Sequence, residues 1–455
     1  MKKIFMIIIA VTAMCGCSIH KKYQRPEDIS VSTTYRDIIV DSSDTANIAD
    51  VLWQNLFTDV HLQSLIETGL DYNTDLRIAH LRVEQAEAVL QTSRLSYLPS
   101  VNINSQGNIS SFDGAEPSKT HSLTATTSWE IDIFGKLANA NKRDRATLES
   151  SKAYEQAVQT QLIATVSNSY YMLLMLDSQL EINMKTLKNR ENSIKTMQML
   201  KQAGQLNEAA ILQAEANKLS LESAILSIQR SITETENSLS VLLGQKAQRI
   251  ERGVLSEQSF SDTLAVGVPL QLLANRPDVR QAEYNLAKAF YATNVARSAF
   301  YPSITLGGSA GWTNNAGSMI VNPGQFLWSA VGSLVQPLFN KGVNQANFKI
   351  AKAQQEEAQL LFQQHILNAG KEVNDALVQW QTASGKIKIG KQQIEILQET
   401  VYNTELLMKH SSINYLEVLT AQQSLLQSEQ SQSQNYFDKI QGVIKLYHAL
   451  GGGAK

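Results

Sequence analysis

The chain has 455 residues, of which 43% are hydrophobic, and its 40 basic residues nearly balance 42 acidic ones at a formal net charge of -2. This balance argues against a nucleic-acid-binding protein. The two cysteines, Cys15 and Cys17, both lie at the very start of the chain, which excludes a disulfide framework and a cysteine-based metal site. Disordered, collagen-like and low-complexity classes are also excluded, so a long, folded and mostly helical protein is predicted.

The chain begins with a segment that resembles a secretory leader. Two lysines precede an apolar run from Ile4 to Met14, and small residues lead up to Cys17. The glycine and serine that flank Cys17 are typical of a bacterial lipobox, and the serine permits export to the outer membrane. We therefore predict a lipoprotein signal peptide at 1–16, covalent lipid on Cys17 and an N-terminal lipidated arm at 17–60. An ordinary cleaved signal is the alternative.

The sequence also repeats itself at a separation of about 200 residues. Residues 94–103 recur as residues 297–306, with an arginine, a Pro-Ser pair and a polar-apolar alternation in the same places. We predict an internal duplication with this division: a first repeat at 61–250, a connector at 251–275 and a second repeat at 276–455.

In each repeat the pattern predicts a helix, two strands, a very long helix, a turn and another long helix. Neither glycine nor proline occurs between Lys136 and Ala203, and a helix of that span is roughly 100 Å long. Apolar and small residues recur at intervals of three and four, as at Leu212, Ala216 and Leu219, which suits helices packed side by side. A periplasmic coiled coil without a pore is one alternative.

The strands favour a membrane protein instead. Between Leu123 and Ile133, apolar and polar residues alternate with a period of two, which is typical of a strand with one apolar and one polar face. Barrel strands are predicted at approximately 100–134 and 303–339. Four strands cannot close a membrane barrel, because the smallest use about eight, so two, three or four copies of the chain must contribute.

Six motifs follow one another in the order found in one known family. They are Tyr23–Pro26, Trp129–Lys136, Arg276–Arg280, Tyr301–Leu306, Gln336–Phe339 and Tyr415–Leu419. In these motifs the chain resembles the TolC-type outer-membrane factors, specifically the lipoprotein branch that serves resistance-nodulation-division (RND) drug pumps. The arginine-proline start of the third motif is also an ordinary helix start signal, so its role is predicted to be structural.

The resemblance implies a mainly α protein with a membrane β-barrel, in which three copies share twelve strands continued by a long α-helical tunnel. It implies an outer-membrane channel that acts as a passive conduit for drugs and other small molecules. The implied partners are the other two copies of a homotrimer, a periplasmic adaptor, an inner-membrane RND pump and outer-membrane lipid. The channel of a type I protein secretion system is the alternative.

The resemblance also implies site residues at the two helix-to-helix turns. Glu417 and Thr420 occupy the positions of a periplasmic gate, where three Glu417 carboxylates near a threefold axis would repel one another and favour cations. A solvated glutamate on a helix face is the alternative for Glu417. The expected adaptor contacts are Ala203, Gly204, Gln205, Leu206, Ser411, Ser412, Ile413 and Asn414.

The sequence does not support an enzyme. The segment Gly307–Gly311 formally satisfies the G-x-S-x-G nucleophile pattern, but a loop follows it where the pattern requires a helix. The seven histidines include no pair at metal-binding helical spacing, and no phosphate-binding glycine loop occurs. We therefore predict a protein without enzymatic activity, metal or cofactor other than the covalent lipid.

Overall fold

The computed structural model describes residues 20, 22–26, 48–258, 260, 275–314, 325–409 and 415–454. The chain divides into two compact units. The first, the sheet unit, comprises Met1–Ile29, Leu81–Lys152 and Gln281–Gln364. The second, the helical unit, comprises Ser30–His80, Ala153–Arg280 and His365–Lys455.

Long helices dominate the chain, and the second half repeats the element order of the first. The first set is α1 (Trp53–Leu56), α2 (Val60–Tyr72), α3 (Thr74–Leu95), β1 (Ser100–Ser110), β2 (Ser118–Ile131), α4 (Lys136–Gln202) and α5 (Glu208–Leu242). The second set is α6 (Pro277–Ser298), β3 (Ser303–Asn314), β4 (Gln325–Val335), α7 (Val343–Lys409) and α8 (Tyr415–Ala449). Short 3₁₀ helices cover Ile48–Asp50 and Leu255–Glu257. This confirms the predicted fold class of a mainly helical, duplicated chain with four strands.

The four strands form one antiparallel sheet in the order β1-β2-β3-β4. Its central pair joins the two repeats, since Leu123 of β2 lies opposite Trp312 of β3 and Trp129 opposite Leu306. Residues that lie opposite each other in a sheet share a face. Apolar residues of β2 are thus paired with apolar residues of β3. The apolar sides of the two strands therefore form one mainly apolar face of the sheet.

Two of the four strands, β2 and β4, end a few residues before the approximate limits predicted from the sequence. β2 ends at Ile131 because Asp132 leaves the ladder, and its carboxylate oxygen Oδ2 accepts a hydrogen bond from the Ala138 amide (2.7 Å) in the first turn of α4. β4 ends at Val335, two residues before Pro337, which has no amide hydrogen to donate to a ladder. The described strands therefore stop three and four residues before the approximate limits of 134 and 339.

The core of the helical unit is built around the middle of α4. Tyr170, Tyr171 and Leu173 are among its largest fully buried side chains. The Tyr170 hydroxyl donates a hydrogen bond to the Asp59 carboxylate (2.7 Å), and Asp59 also caps the start of α2 by accepting from the His61 amide. Burial, which disfavours the charged form, raises the pKa of Tyr170 well above its usual range, so the phenol stays neutral and able to donate.

The third motif fixes the start of α6. The helix begins at Pro277, as predicted, and the preceding Arg276 is 3% exposed. Its guanidinium donates to the carboxylates of Asp278 (2.6 Å) and Glu372 (2.7 Å) and to the carbonyl of Ala449 (3.1 Å). One buried cation thus connects the start of α6 to α7 and to the end of α8, which gives this motif a structural role.

Within the described residues, no helix combines the length and the apolarity needed to cross a lipid bilayer.

Candidate functional site

One face of the sheet is mainly apolar and exposed, with Ser105, Lys119, His121 and Thr127 as polar exceptions. It carries these residues: Val101, Ile103, Ile109, Leu123, Ala125, Trp129, Leu306, Ala310, Trp312, Phe326, Trp328 and Leu334. Ile103 is 76% exposed, and Trp328 is 71% exposed. In a water-soluble protein such side chains are normally buried, and a contiguous exposed patch marks an interaction with lipid or protein.

The opposite face of the sheet is mainly polar. Its residues include Asn102, Asn104, Gln106, Thr120, Ser122, Thr124, Thr126, Ser128, Thr305, Ser309, Ser329 and Ser333. Leu327, Val331 and Val335 are apolar exceptions on this face. Cross-strand hydrogen bonds link several of the polar residues, such as the Ser309 and Ser329 hydroxyls (2.8 Å). The sheet is therefore two-faced, as the sequence alternation predicted.

The G-x-S-x-G segment is an ordinary part of this sheet. Gly307–Gly311 lies inside β3 and pairs with β2 on one side and β4 on the other, so the required strand-turn-helix context is lacking. A Cβ atom at Gly311 would lie 2.2 Å from the Leu123 carbonyl oxygen, which explains the glycine by close strand approach. Among the described residues, no group of three or more His, Cys, Asp or Glu side chains could hold a metal ion.

The first helix-to-helix turn lies between α4 and α5. Gly204 has φ +73°, and the Gln205 amide donates to the Leu200 carbonyl (2.9 Å), so α4 ends in a glycine cap of the Schellman type. Asn207 caps α5 by accepting from the Ala210 amide (3.0 Å). Of the four predicted adaptor contacts here, Ala203, Gly204 and Gln205 are exposed, whereas Leu206 is half-buried.

The second turn precedes α8. Ser411, Ser412, Ile413 and Asn414 lie outside the described residues, as does Cys17. Glu417 is exposed in the first turn of α8, where a carboxylate is favoured by the positive end of the helix dipole. Thr420 is exposed as well, and its hydroxyl donates to the Leu416 carbonyl of its own helix (2.8 Å).

An apolar cluster brings the ends of all four long helices together beside these turns. Its buried members are Ile194, Met197, Ile211, Ala214, Met408, Tyr415, Val418 and Leu419. Leu206 of the first turn packs against the same cluster, next to the helix that carries Glu417. The predicted gate and adaptor residues that the structure describes therefore belong to one end of the helical unit.

Two polar links cross this end of the helical unit, and the sequence analysis missed both. Arg190, which is 6% exposed, donates to the Asn217 carbonyl (2.7 Å) of α5 and to the Gln423 side chain (2.7 Å) of α8. Desolvation lowers the pKa of Arg190. The Gln422 amide donates to the Glu405 carboxylate of α7 (2.8 Å). No local pattern marks these residues, because their partners lie far away in the sequence.

Long paired helices and a two-faced, open antiparallel sheet define the class of outer-membrane channel proteins that the six motifs indicated. The family model described as "Outer membrane efflux protein" matches residues 65–245 and 268–452. The chain belongs to this family, and it is an outer-membrane efflux channel protein.

Individual relatives match the chain over almost its full length. The "Cation efflux system protein CusC" of Escherichia coli (strain K12) is 30% identical over 457 residues, which cover 99% of this chain and 98% of CusC. The "Probable outer membrane lipoprotein SilC" of Salmonella typhimurium is 30% identical over 98% of both chains. A crystal structure of CusC, from work on its folding and transmembrane channel formation, has a TM-score of 0.86 at 29% identity and covers 96% of this chain and 100% of its own.

Proposed function

We propose that three copies of this chain form one channel through the outer membrane, and that their sheets close a twelve-stranded barrel. The observation that carries the proposal is the sheet with an exposed apolar face and a polar reverse. Such a wall suits lipid on one side and water on the other. β1 and β4 are the edge strands of the described sheet, and their backbone groups are available to pair with neighbouring copies.

Exposed stripes on the helices support the same assembly. On α7 the stripe is Leu367, Val378, Ile389, Ile396 and Leu407, with side chains between 44% and 66% exposed. On α5 it is Leu212, Leu219 and Leu226, each more than half exposed. Residues spaced by seven and eleven lie along one side of a helix, and such a seam is normally covered by another helix. Neighbouring copies would cover both stripes and continue the barrel as a helical tunnel.

The same proposal includes the division of the chain predicted from the sequence. The chain would comprise a signal peptide at 1–16, an arm at 17–60, repeats at 61–250 and 276–455, and a connector at 251–275. Lipid on Cys17 would anchor the arm in the outer membrane, and the word lipoprotein in the name of SilC supports this.

The helix turns would meet the partners. Glu417 and Thr420 would line a periplasmic gate on the threefold axis, and an adaptor joined to an inner-membrane RND pump would contact both turns. In the first turn, the exposed positions of Ala203, Gly204 and Gln205 support this role. The same role is proposed for the second turn, at 411–414, because it is equivalent to the first turn in the duplicated sequence.

The cargo would be small molecules that a pump delivers, and the channel itself would have no enzymatic activity. Drugs are the class that the sequence motifs favour. Inorganic cations are a second class, because the relative CusC is named for cation efflux. The family is named for efflux, which favours both classes over type I protein secretion.

Brominated lipids test whether the apolar face meets lipid. Bromine quenches tryptophan fluorescence only at close range, so reconstitution in lipids brominated on their acyl chains is expected to quench the three tryptophans of this face, Trp129, Trp312 and Trp328. A variant with Trp129, Trp312 and Trp328 all changed to Phe should lose much of that quenching, whereas Trp53→Phe should retain it, because Trp53 is only 5% exposed. Equal quenching in both variants would contradict the assignment of this face to lipid.

Conductance tests the gate. In planar bilayers, Glu417→Ala is expected to raise the resting conductance and to weaken the preference for cations, because it removes three carboxylates from a narrow ring. Glu395→Ala on the exposed surface of α7 is the matched control. Unchanged conductance and selectivity at equal protein level would count against Glu417 as a gate residue.

A further inference from the structure

The N-terminal arm of the sheet unit contacts α6 through a charged pair. The Arg25 guanidinium donates from two nitrogens to the two carboxylate oxygens of Glu283 (2.8 and 2.6 Å). A two-pronged pair of this kind fixes orientation as well as distance. Glu283 is 18% exposed and Arg25 46%, so the carboxylate is partly enclosed where it receives the arm.

An aromatic contact lies next along the arm. The Tyr23 ring meets Phe290 edge-to-face at 5.7 Å between centroids and lies 6.4 Å from the ring of Tyr291. Its hydroxyl is buried and, within the described part of the chain, has no hydrogen-bond partner. Burial raises the pKa of Tyr23 to about 12, which keeps the phenol neutral. Tyr23 is therefore held mainly by its ring.

A third contact lies close to the sheet. The His20 ring nitrogen Nε2 is 2.9 Å from the Phe134 carbonyl oxygen and 3.1 Å from the Ser298 hydroxyl. Phe134 lies just after β2, which ends at Ile131, and its ring stacks on Tyr301 at 5.3 Å, just before β3. His20 thus lies at the end of the sheet at which β2 ends and β3 begins.

The three contacts follow one side of α6 in reverse order. Arg25, Tyr23 and His20 meet positions 283, 290–291 and 298, which are about two helical turns apart. An extended arm therefore runs antiparallel to α6 over most of its length. Such a run needs a dedicated surface on the helix, which Glu283, Phe290 and Ser298 supply.

We propose that this surface of α6 is a docking site for the arm and positions the lipid attachment point at the end of the sheet. Cys17 is three residues from His20, so their Cα atoms are at most about 11 Å apart. A docked arm therefore delivers the acyl chains beside the apolar face that enters the membrane, and docking promotes insertion of the sheet. The inference rests on the proposed lipidation of Cys17.

Charge reversal in full-length protein tests the docking. The variants are Arg25→Glu, Glu283→Arg and the double exchange, with Lys288→Glu as a matched control, because Lys288 is exposed on α6 and makes none of the three arm contacts. Trypsin cleavage after Lys22 reports undocking, and palmitate labelling reports lipidation. The yield of sodium dodecyl sulfate-resistant trimer at a fixed time after induction reports insertion and assembly.

Each single reversal is expected to speed cleavage about fivefold or more and to reduce trimer yield while labelling stays constant. The double exchange should restore both, and Lys288→Glu should change neither. Wild-type cleavage and yield in the single variants, or no rescue in the double exchange, would overturn the inference. Absence of labelling in wild-type protein would instead refute the lipidation, and Cys17→Ala should then assemble normally.

Discussion

The two longest helices, α4 and α7, occupy equivalent places in the duplicated sequence yet differ in what surrounds them. Each has 67 residues. The helix α4 contains no glycine, and its middle holds Tyr170, Tyr171 and Leu173, all almost completely buried. The helix α7 contains three glycines, and its apolar stripe is largely exposed, as at Ile389 with 66% exposure.

This difference indicates that the two duplicated helices have separate structural roles, one in folding and one in assembly. The apolar residues in the middle of α4 are buried in the core of a single copy. α7 also buries residues, such as Val373, but one of its apolar stripes is exposed, and in the proposed trimer a neighbouring copy would cover it. Folding should therefore be most sensitive to substitutions in the core of α4, and assembly to substitutions in the exposed stripe of α7.

The largest effect is expected in the core of α4. Leu173→Ala removes a side chain that is 0% exposed and leaves a cavity, so we expect a loss of about 2–5 kcal/mol in the free energy of unfolding. Denaturant unfolding in detergent, followed by circular dichroism, measures this. Leu367→Ala on the α7 stripe, which is 63% exposed, is the comparison. An equal loss of monomer stability in both would remove the proposed difference between the helices.

The next effect concerns assembly. Ile389→Asp places a carboxylate on the α7 stripe, and we expect it to cost about 2 kcal/mol per copy in the helix interface while leaving helix content unchanged. Native gels and circular dichroism together separate the two effects. Lys391→Asp, on the other side of α7, is the control. A stable trimer of Ile389→Asp would show that the stripe is not an interface.

A smaller effect is expected at the glycines. A Cβ atom at Gly385 meets no atom within 4 Å, so Gly385→Ala should stabilise α7 by about 0.5–1 kcal/mol. At Gly442 in α8 a Cβ atom would lie 3.0 Å from the backbone of Trp380, so Gly442→Ala should destabilise. Melting temperatures of the two variants should shift in opposite directions. A shift of both in one direction would refute this distinction.

The smallest effect is expected with pH. Burial, assisted by the nearby Arg276 cation, lowers the pKa of His448 in the folded chain. The unfolded chain then binds the proton more readily, so stability contributed by neutral His448 is present above about pH 6.5 and is lost as pH falls through the lowered pKa. His448→Gln should flatten the melting temperature between pH 7 and pH 5. An unchanged slope would exclude His448 as the cause.

Periodicity was enough to predict the strands and the length of α4, because each residue pattern acts locally. It failed at strand ends, where single residues decide, as Asp132 does by capping α4 and Pro337 does by lacking an amide hydrogen. It also could not supply the pairing of β2 with β3, because that register depends on segments far apart in the sequence.

The charged links of the interior were beyond sequence reasoning for the same reason. Arg252 bonds to Asp177 of α4 (3.0 Å) and also pairs with Glu236 of α5. Any of the 40 basic residues could have been paired with many carboxylates in the sequence. Only the folded backbone selects the partner, whereas the turn at Gly204 was visible because glycine tolerates its positive φ.

The sharing of one channel by three copies is tested most directly by the native mass of the protein extracted from outer membranes in detergent. Three copies of a 50.3 kDa chain, less their leaders and plus lipid, should give a mass of about 150 kDa. This result would provide the twelve strands that a closed wall requires. A monomer or dimer that is extracted without detergent would contradict the shared channel.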